Sequence, residues 1–326
     1  FLPTAKLFHL KLKKRSTETH CDVTMDNTRN RQFIVSLYAL VGVVLAGGVL
    51  SWDQNRYSLT IGPVTYCVTA GAVFGSLLSV ISTDYLGRKP TLMISSTLFF
   101  YSWTMILYSS SHAMLVAARF IAGVATGLLS VVAPIYIGEI SFKSRRETLS
   151  SLIYILINVG VLLMYLCQNT WAIFQVWAEG IFSALSLLSI LLLFFIPESP
   201  YFLINKDKSK AKSTLQYLRS PDPSEELNEL ISEVGKSPTG LPTLDMMNSF
   251  DTRKALVITS FLFMTQTSCG VVLIKFLSTN GHVFTGDMKL YRILFGVFLL
   301  LQVLIAMMYW KFVTDARRKR IMLATL

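Results

Sequence analysis

Charge is what this chain has least of. Only 15% of its 326 residues are Asp, Glu, Lys or Arg, against 52% hydrophobic, a balance that argues against a water-soluble globule of this size. Histidine and cysteine are also scarce, at four each. Cys21, Cys67, Cys167 and Cys269 have no metal-type spacing. Three of them fall in or beside apolar stretches, so they read as small apolar fillers and imply no disulfide. The sequence holds no Asn-x-Ser/Thr acceptor. It also shows no nucleophile, metal or phosphate-loop constellation. No catalytic residue, metal or cofactor is therefore expected, and a membrane enzyme is a distant reading.

What is present is a series of uncharged stretches: Gln32 to Trp52, Tyr57 to Thr83, Thr91 to Leu115, Phe120 to Gly138, Thr148 to Ala178, Gly180 to Ile196, Ala255 to Ile274 and Ile293 to Trp310. Most reach the roughly 20 residues that a helix needs to cross a bilayer. The run from Thr148 is too long for one span. Its polar centre at Gln168, Asn169 and Thr170 separates it from the next, giving about eight spans.

The net charge of +11 raises the question of a nucleic-acid partner, and the placement of the 30 basic residues answers it. The N-terminal tail, the loops after the second, fourth and sixth spans, and the segment after the eighth hold 25 of them, whereas the opposite loops hold only Arg56. This is the signature of a polytopic membrane protein with those loops in the cytoplasm, so both observed termini are expected there and no nucleic acid is implied. The tail from Phe1 to Arg31 is too polar for a signal peptide. The chain starts without Met and stops in the apolar run Ile321 to Leu326, so both ends are expected to be fragment ends.

The spacing divides the chain into a cytoplasmic tail (1–32), six closely spaced spans (33–196), a linker (197–254) and the start of a second group of spans (255–326). In the linker, Asn205 to Arg219 places Ala211, Leu215 and Leu218 on one face among basic residues, as a helix lying on the cytoplasmic membrane surface would. Pro221 and Pro223 end it. A second short helix is expected from Ser224 to Gly235, with Glu225 and Glu226 at its positive end.

Three clusters stand out. Asp84-Tyr85-Leu86-Gly87-Arg88-Lys89-Pro90 is a tight turn between spans two and three, with an acid at one helix end and cations at the next. It reads either as a topogenic basic loop or as a helix clamp. Span four opens with Arg119-Phe120, continues Gly123-x-x-x-Gly127, whose small residues permit close helix approach, and ends Pro134-Ile135-Tyr136-Ile137-Gly138-Glu139. Arg119 either snorkels to the outer surface or faces an aqueous cavity. After span six, Pro197-Glu198-Ser199-Pro200-Tyr201-Phe202-Leu203 puts Glu198 at the cytoplasmic surface near Arg145 and Arg88.

Together and in this order, these motifs resemble the sugar porter family of the major facilitator superfamily, especially insect facilitated trehalose transporter-like proteins. The resemblance implies an all-α polytopic membrane protein: an N-terminal six-helix bundle plus part of the C-terminal bundle, moving a sugar by alternating access in the cell membrane. It implies a gating ion-pair network of Asp84, Arg88, Lys89, Glu139, Arg145 and Glu198. It also places substrate-binding positions at Tyr154, Asn158, Gln266, Gly270 and Gln302.

The departures bear on substrate and mechanism. Tyr85 stands where the family has Arg or Lys, and Arg146 where it has Gly. Tyr154 replaces a sugar-contacting Gln. In span seven Gln266 and Gly270 match, while the second Gln and the Asn are lost. Asp53, with Arg119, is the one candidate for proton coupling, its alternative being an exposed loop acid. Facilitated diffusion, proton-coupled symport and a divergent solute sensor that does not transport are the readings carried forward.

Overall fold

The computed structural model describes residues 28, 30–52, 61–142, 145–169, 172–218, 227–228, 230–232, 250–266 and 288–312. All regular structure among these residues is helical. In chain order the helices are α1 (Asn30–Ser51), α2 (Ile61–Tyr85), α3 (Arg88–Leu107), α4 (His112–Ile140), α5 (Arg146–Asn169), α6 (Ala172–Phe194), α7 (Pro200–Lys206), α8 (Lys208–Leu218), α9 (Phe250–Gln266) and α10 (Met288–Phe312).

Stretches within α1, α2, α4, α5 and α6 are long and apolar enough to cross a membrane, and α10 holds a shorter apolar segment, Ile293–Met308. Among the described residues a helix coincides with all or part of each of the eight expected spans. α3 is less apolar because it is rich in Ser and Thr, and its hydroxyls are spent inside the protein. Ser95 Oγ and Thr97 Oγ1 donate to carbonyls of their own helix. Ser96 Oγ pairs with Ser189 Oγ at 3.1 Å and Thr104 Oγ1 with Ser183 Oγ at 2.9 Å, fastening α3 to α6. Ser102 Oγ donates to the Ala118 carbonyl of α4 at 2.9 Å. Where water is absent, such bonds hold helices together that the hydrophobic effect alone would not.

One boundary differs from the sequence expectation and one agrees with it. α4 begins at His112, with Ser111 Oγ accepting the Met114 N–H at 3.3 Å. Arg119 therefore lies about two turns inside the helix rather than at its opening. α5 ends at Asn169 and α6 begins at Ala172, where the polar centre at Gln168 to Thr170 predicts the break, and Glu179 sits within α6 and is 1% exposed.

α4 is the centre of the first group, packed against α2 and α3. The small residues of α4 find matching ones on α2. A methyl at Gly123 or Gly127 would overlap the Val68 or Ala72 carbonyl, and one at Gly71 or Gly75 would overlap the Phe120 or Val124 carbonyl. The two backbones touch over at least one full turn, which only glycine permits. Around this contact the fully buried Leu40, Leu92, Phe99, Trp103, Leu128, Tyr136 and Phe182 form the core.

The basic helix after span six is α8, and its apolar face is covered by protein. Ala211, Thr214, Leu215 and Leu218 are buried, and Ala211 and Leu215 pack with Ile204 of α7 and Leu230. The expected membrane-surface placement of this face is thus corrected: α7 together with Leu227, Leu230 and Ile231 takes the place of lipid.

Candidate functional site

Helix ends converge at the end of the first group where α2, α4 and α6 finish and α3 and α5 begin. The chain passes from α2 to α3 through Gly87, whose φ of 111° is left-handed backbone that glycine adopts freely. Gly87 supplies no side chain to cap α3, and the cap arrives from 110 residues away. Glu198 Oε1 accepts the N–H groups of Arg88 and Lys89, each at 3.1 Å, and that of Ser199 at 2.9 Å. A carboxylate at the positive end of a helix is favourable, and this one satisfies two of the four amides that lack helical partners.

The Arg88 side chain turns the other way, to α4. Its Nη2 donates to Glu139 Oε1 at 2.8 Å and its Nε to Oε2 at 2.9 Å, a paired geometry that fixes both groups. Nη1 reaches the Thr83 carbonyl at 3.2 Å. Ser199 Oγ donates to Glu139 Oε2, and Tyr136 OH to the Pro197 carbonyl at 2.7 Å. Two lysines tie down helix C-termini: Lys89 Nζ donates to the Phe194 carbonyl at 3.0 Å and Lys206 Nζ to the Tyr85 carbonyl at 3.2 Å. Phe202 lies beneath both Arg88 and Lys206, with ring-centroid distances of 5.6 and 4.4 Å.

Of the six residues expected in the network, the structure brings together Arg88, Lys89, Glu139 and Glu198. Asp84 is exposed on the last turn of α2, and Arg145 precedes α5; among the described residues neither side chain joins the cluster. The cluster links α2, α3, α4, α6 and α7. Its described members are all in the first six spans and the linker.

At the opposite end Arg119 is 6% exposed. Its Nη2 donates to the Val49 carbonyl at 3.0 Å, and its guanidinium lies 4.6 Å from the centre of the Trp52 ring. Trp52 Nε1 donates to Glu179 Oε1 at 3.2 Å. A cation and an acid from different helices thus both contact one buried indole, Arg119 over its ring and Glu179 at its N–H, so Arg119 is held inside the bundle instead of snorkelling outward. Asp53 lies outside the described residues.

Along the face of α5, Tyr154 is 52% exposed. Asn158 is buried, and its Nδ2 donates to the Tyr154 carbonyl at 2.8 Å, so its amide is turned onto its own helix. Gln302 is half-buried on α10. Gln266 closes α9, but its side chain, like all of Gly270, lies outside the described residues.

Glu179, Ser199 and Trp310 escaped the sequence reading. For Glu179 a signal existed: it is the only acid between Thr148 and Ile196. An acid within a helix otherwise apolar for the length of a span must have a partner.

Compared with known proteins, residues 12–325 match the family of sugar (and other) transporters. The chain belongs to that family. A putative metabolite transport protein of Bacillus subtilis, YwtG, is 32% identical over 211 residues, 63% of this chain and 46% of the relative. The facilitated trehalose transporter Tret1 of Culex quinquefasciatus is 29% identical over 207 residues, 61% of this chain and 39% of the relative. The chain thus spans less than half the length of either. Among solved structures, the proton:xylose symporter XylE bound to 6-bromo-6-deoxy-D-glucose superposes with a TM-score of 0.67 at 19% identity, over 86% of this chain and 70% of that one. This likeness gives the fold: the described helices adopt the major facilitator superfamily architecture of a multi-pass membrane protein.

Proposed function

We propose that the whole protein, of which these residues form part, moves a hexose or a trehalose-type disaccharide across the cell membrane by alternating access and facilitated diffusion, with the N-terminus in the cytoplasm. Family membership supplies the reaction class, and the concentration of Lys and Arg in alternate loops supplies the orientation. The single observation that carries the mechanism is the Glu198 cap on α3 beside the Arg88–Glu139 pair. It joins the ends of α2, α3, α4, α6 and α7 into one rigid unit that rocks as a body. Tyr154 and Gln302 line the substrate path in this reading. Gln266 and Gly270 belong to it by sequence. The decisive experiment is counterflow of labelled trehalose and glucose by full-length protein in liposomes. Saturable exchange of either supports the proposal, whereas saturable binding without flux replaces it with a solute sensor.

One observation favours a second reading. Arg119 is buried against Trp52, which reaches Glu179, and Asp53 follows Trp52 in sequence. Such a cluster is suited to a titrating carboxylate, and hence to proton-coupled symport. Uptake insensitive to a proton gradient is the expected result. Strong inhibition by an uncoupler that disappears in Asp53→Asn would establish symport instead.

A further inference from the structure

Beyond the linker, α10 lies along α5 and forms a described seam between the first six spans and the second group. α10 presents Phe295, Leu299, Val303, Ala306 and Trp310, one residue per turn, to the first group. Leu299, Val303 and Ala306 are buried, while Leu300, Leu301, Leu304, Ile305 and Met308 on its other faces are exposed.

The seam is fastened at both ends by different chemistry. Near the Arg119 end, Tyr165 meets Phe295 edge to face at 5.2 Å. Gly296 leaves room for that ring, since a methyl there would stand 3.3 Å from Tyr165 Cε1. Near the Arg88 end, Trp310 Nε1 donates to the Thr148 carbonyl at 3.1 Å, and the Trp310 side chain packs on the core of the first group. Ser151 Oγ donates to the same carbonyl at 2.8 Å. The two fastenings are about 22 Å apart at 1.5 Å per helical residue.

We propose that Trp310 is the inner latch of this seam, a positioning residue whose indole N–H holds the cytoplasmic end shut while the Tyr165–Phe295 contact holds the outer end. The proposal rests on the alternating-access reading. A cavity that opens alternately must part at one end while the other stays closed. The indole bond joins the moving bodies directly, whereas the Arg88–Glu139–Glu198 cluster stiffens the first body from within. Removing one hydrogen bond of ordinary strength from the inward-closed state shifts the equilibrium toward inward-open by about fivefold. The ring contact at the outer end is worth a similar amount in the opposite direction.

The test measures conformation without sugar. Ala306→Cys places a small reporter thiol at a position 2% exposed in this arrangement, in full-length protein whose native cysteines have been replaced, reconstituted in liposomes and alkylated by a maleimide from the cytoplasmic side. Trp310→Phe keeps an aromatic ring and removes the N–H; labelling is expected to quicken about fivefold. Phe295→Leu loosens the outer end and is expected to slow it. Labelling unchanged in Trp310→Phe overturns the latch. So does labelling raised by both substitutions, since a merely structural seam would loosen from either end. Flux is not part of the readout, so a failure to transport trehalose or glucose sinks the transport reading separately.

Discussion

Gln32 and Leu218, 186 residues apart, are joined by a hydrogen bond from Gln32 Nε2 to the Leu218 carbonyl at 3.0 Å, and both side chains are fully buried. The bond takes up a carbonyl at the end of α8 that the helix itself cannot satisfy. Beside it, the Arg31 guanidinium lies 5.4 Å from the centre of the Tyr217 ring. α8 is thereby docked on the first span. Gln32→Ala is expected to leave the Leu218 carbonyl without its partner and to cost about 1–2 kcal/mol at this joint. Limited proteolysis between α8 and the 227–232 stretch checks it: cutting should quicken in Gln32→Ala and stay unchanged in Arg31→Gln, whose cation sits at a more exposed site.

The cap on α3 makes a separate prediction. Glu198→Ala removes an acceptor shared by three backbone amides and a charge at a helix N-terminus, so a loss of about 1–2 kcal/mol is expected. Glu198→Gln keeps an acceptor oxygen and loses the charge, and should fall between the two. Thermal unfolding of detergent-solubilised protein would rank them. Equal melting temperatures for Glu198→Ala and the parent would show that the cap carries no stability.

For Arg88 and Glu139 the side chains are 16% and 15% exposed, so solvent screens the pair only in part. A double-mutant cycle with Arg88→Gln and Glu139→Gln is expected to give a coupling of about 1–2 kcal/mol, above the range of exposed pairs. Arg88→Lys should recover less than half of it, because an ammonium cannot make the paired contact to both oxygens. A coupling near zero would mean that the two charges sit together without stabilising the fold.

Much of this arrangement was legible in the chain, for reasons that also mark the limits. Apolar runs show where helices cross because the bilayer core forbids unpaired charge for some 20 residues. Gly123-x-x-x-Gly127 signals a close helix contact, but periodicity says nothing of which helix answers it; Gly71 and Gly75 on α2 become meaningful only in space. Glu179 is tolerated inside an apolar helix because buried charge is excluded only while it lacks partners, and Trp52 supplies one from 127 residues away, which the sequence does not show. α8 shows the same limit in another form. Ala211, Leu215 and Leu218 reveal that one face avoids water, yet lipid and protein satisfy that demand equally well. Trp310 carried no signal at all, since a tryptophan near a span end is commonplace at the membrane interface.

Asp207 offers a test that depends on pH. It precedes α8, and its Oδ1 accepts the Ser209 hydroxyl at 2.6 Å and the Ser209 N–H at 3.0 Å. The Ser209 hydroxyl, with the Lys210 N–H behind it, holds the carboxyl below its ordinary value in the folded protein. The folded value being the lower, the carboxylate favours the capped helix at neutral pH, and this contribution disappears as pH falls through the folded value. Amide exchange at Ser209 and Lys210, corrected for the intrinsic effect of acid, should therefore accelerate below pH about 4 in the parent. In Asp207→Asn the side chain still accepts but does not titrate, so protection should stay level across the same range. A matching acceleration in Asp207→Asn would assign the loss of protection to another group.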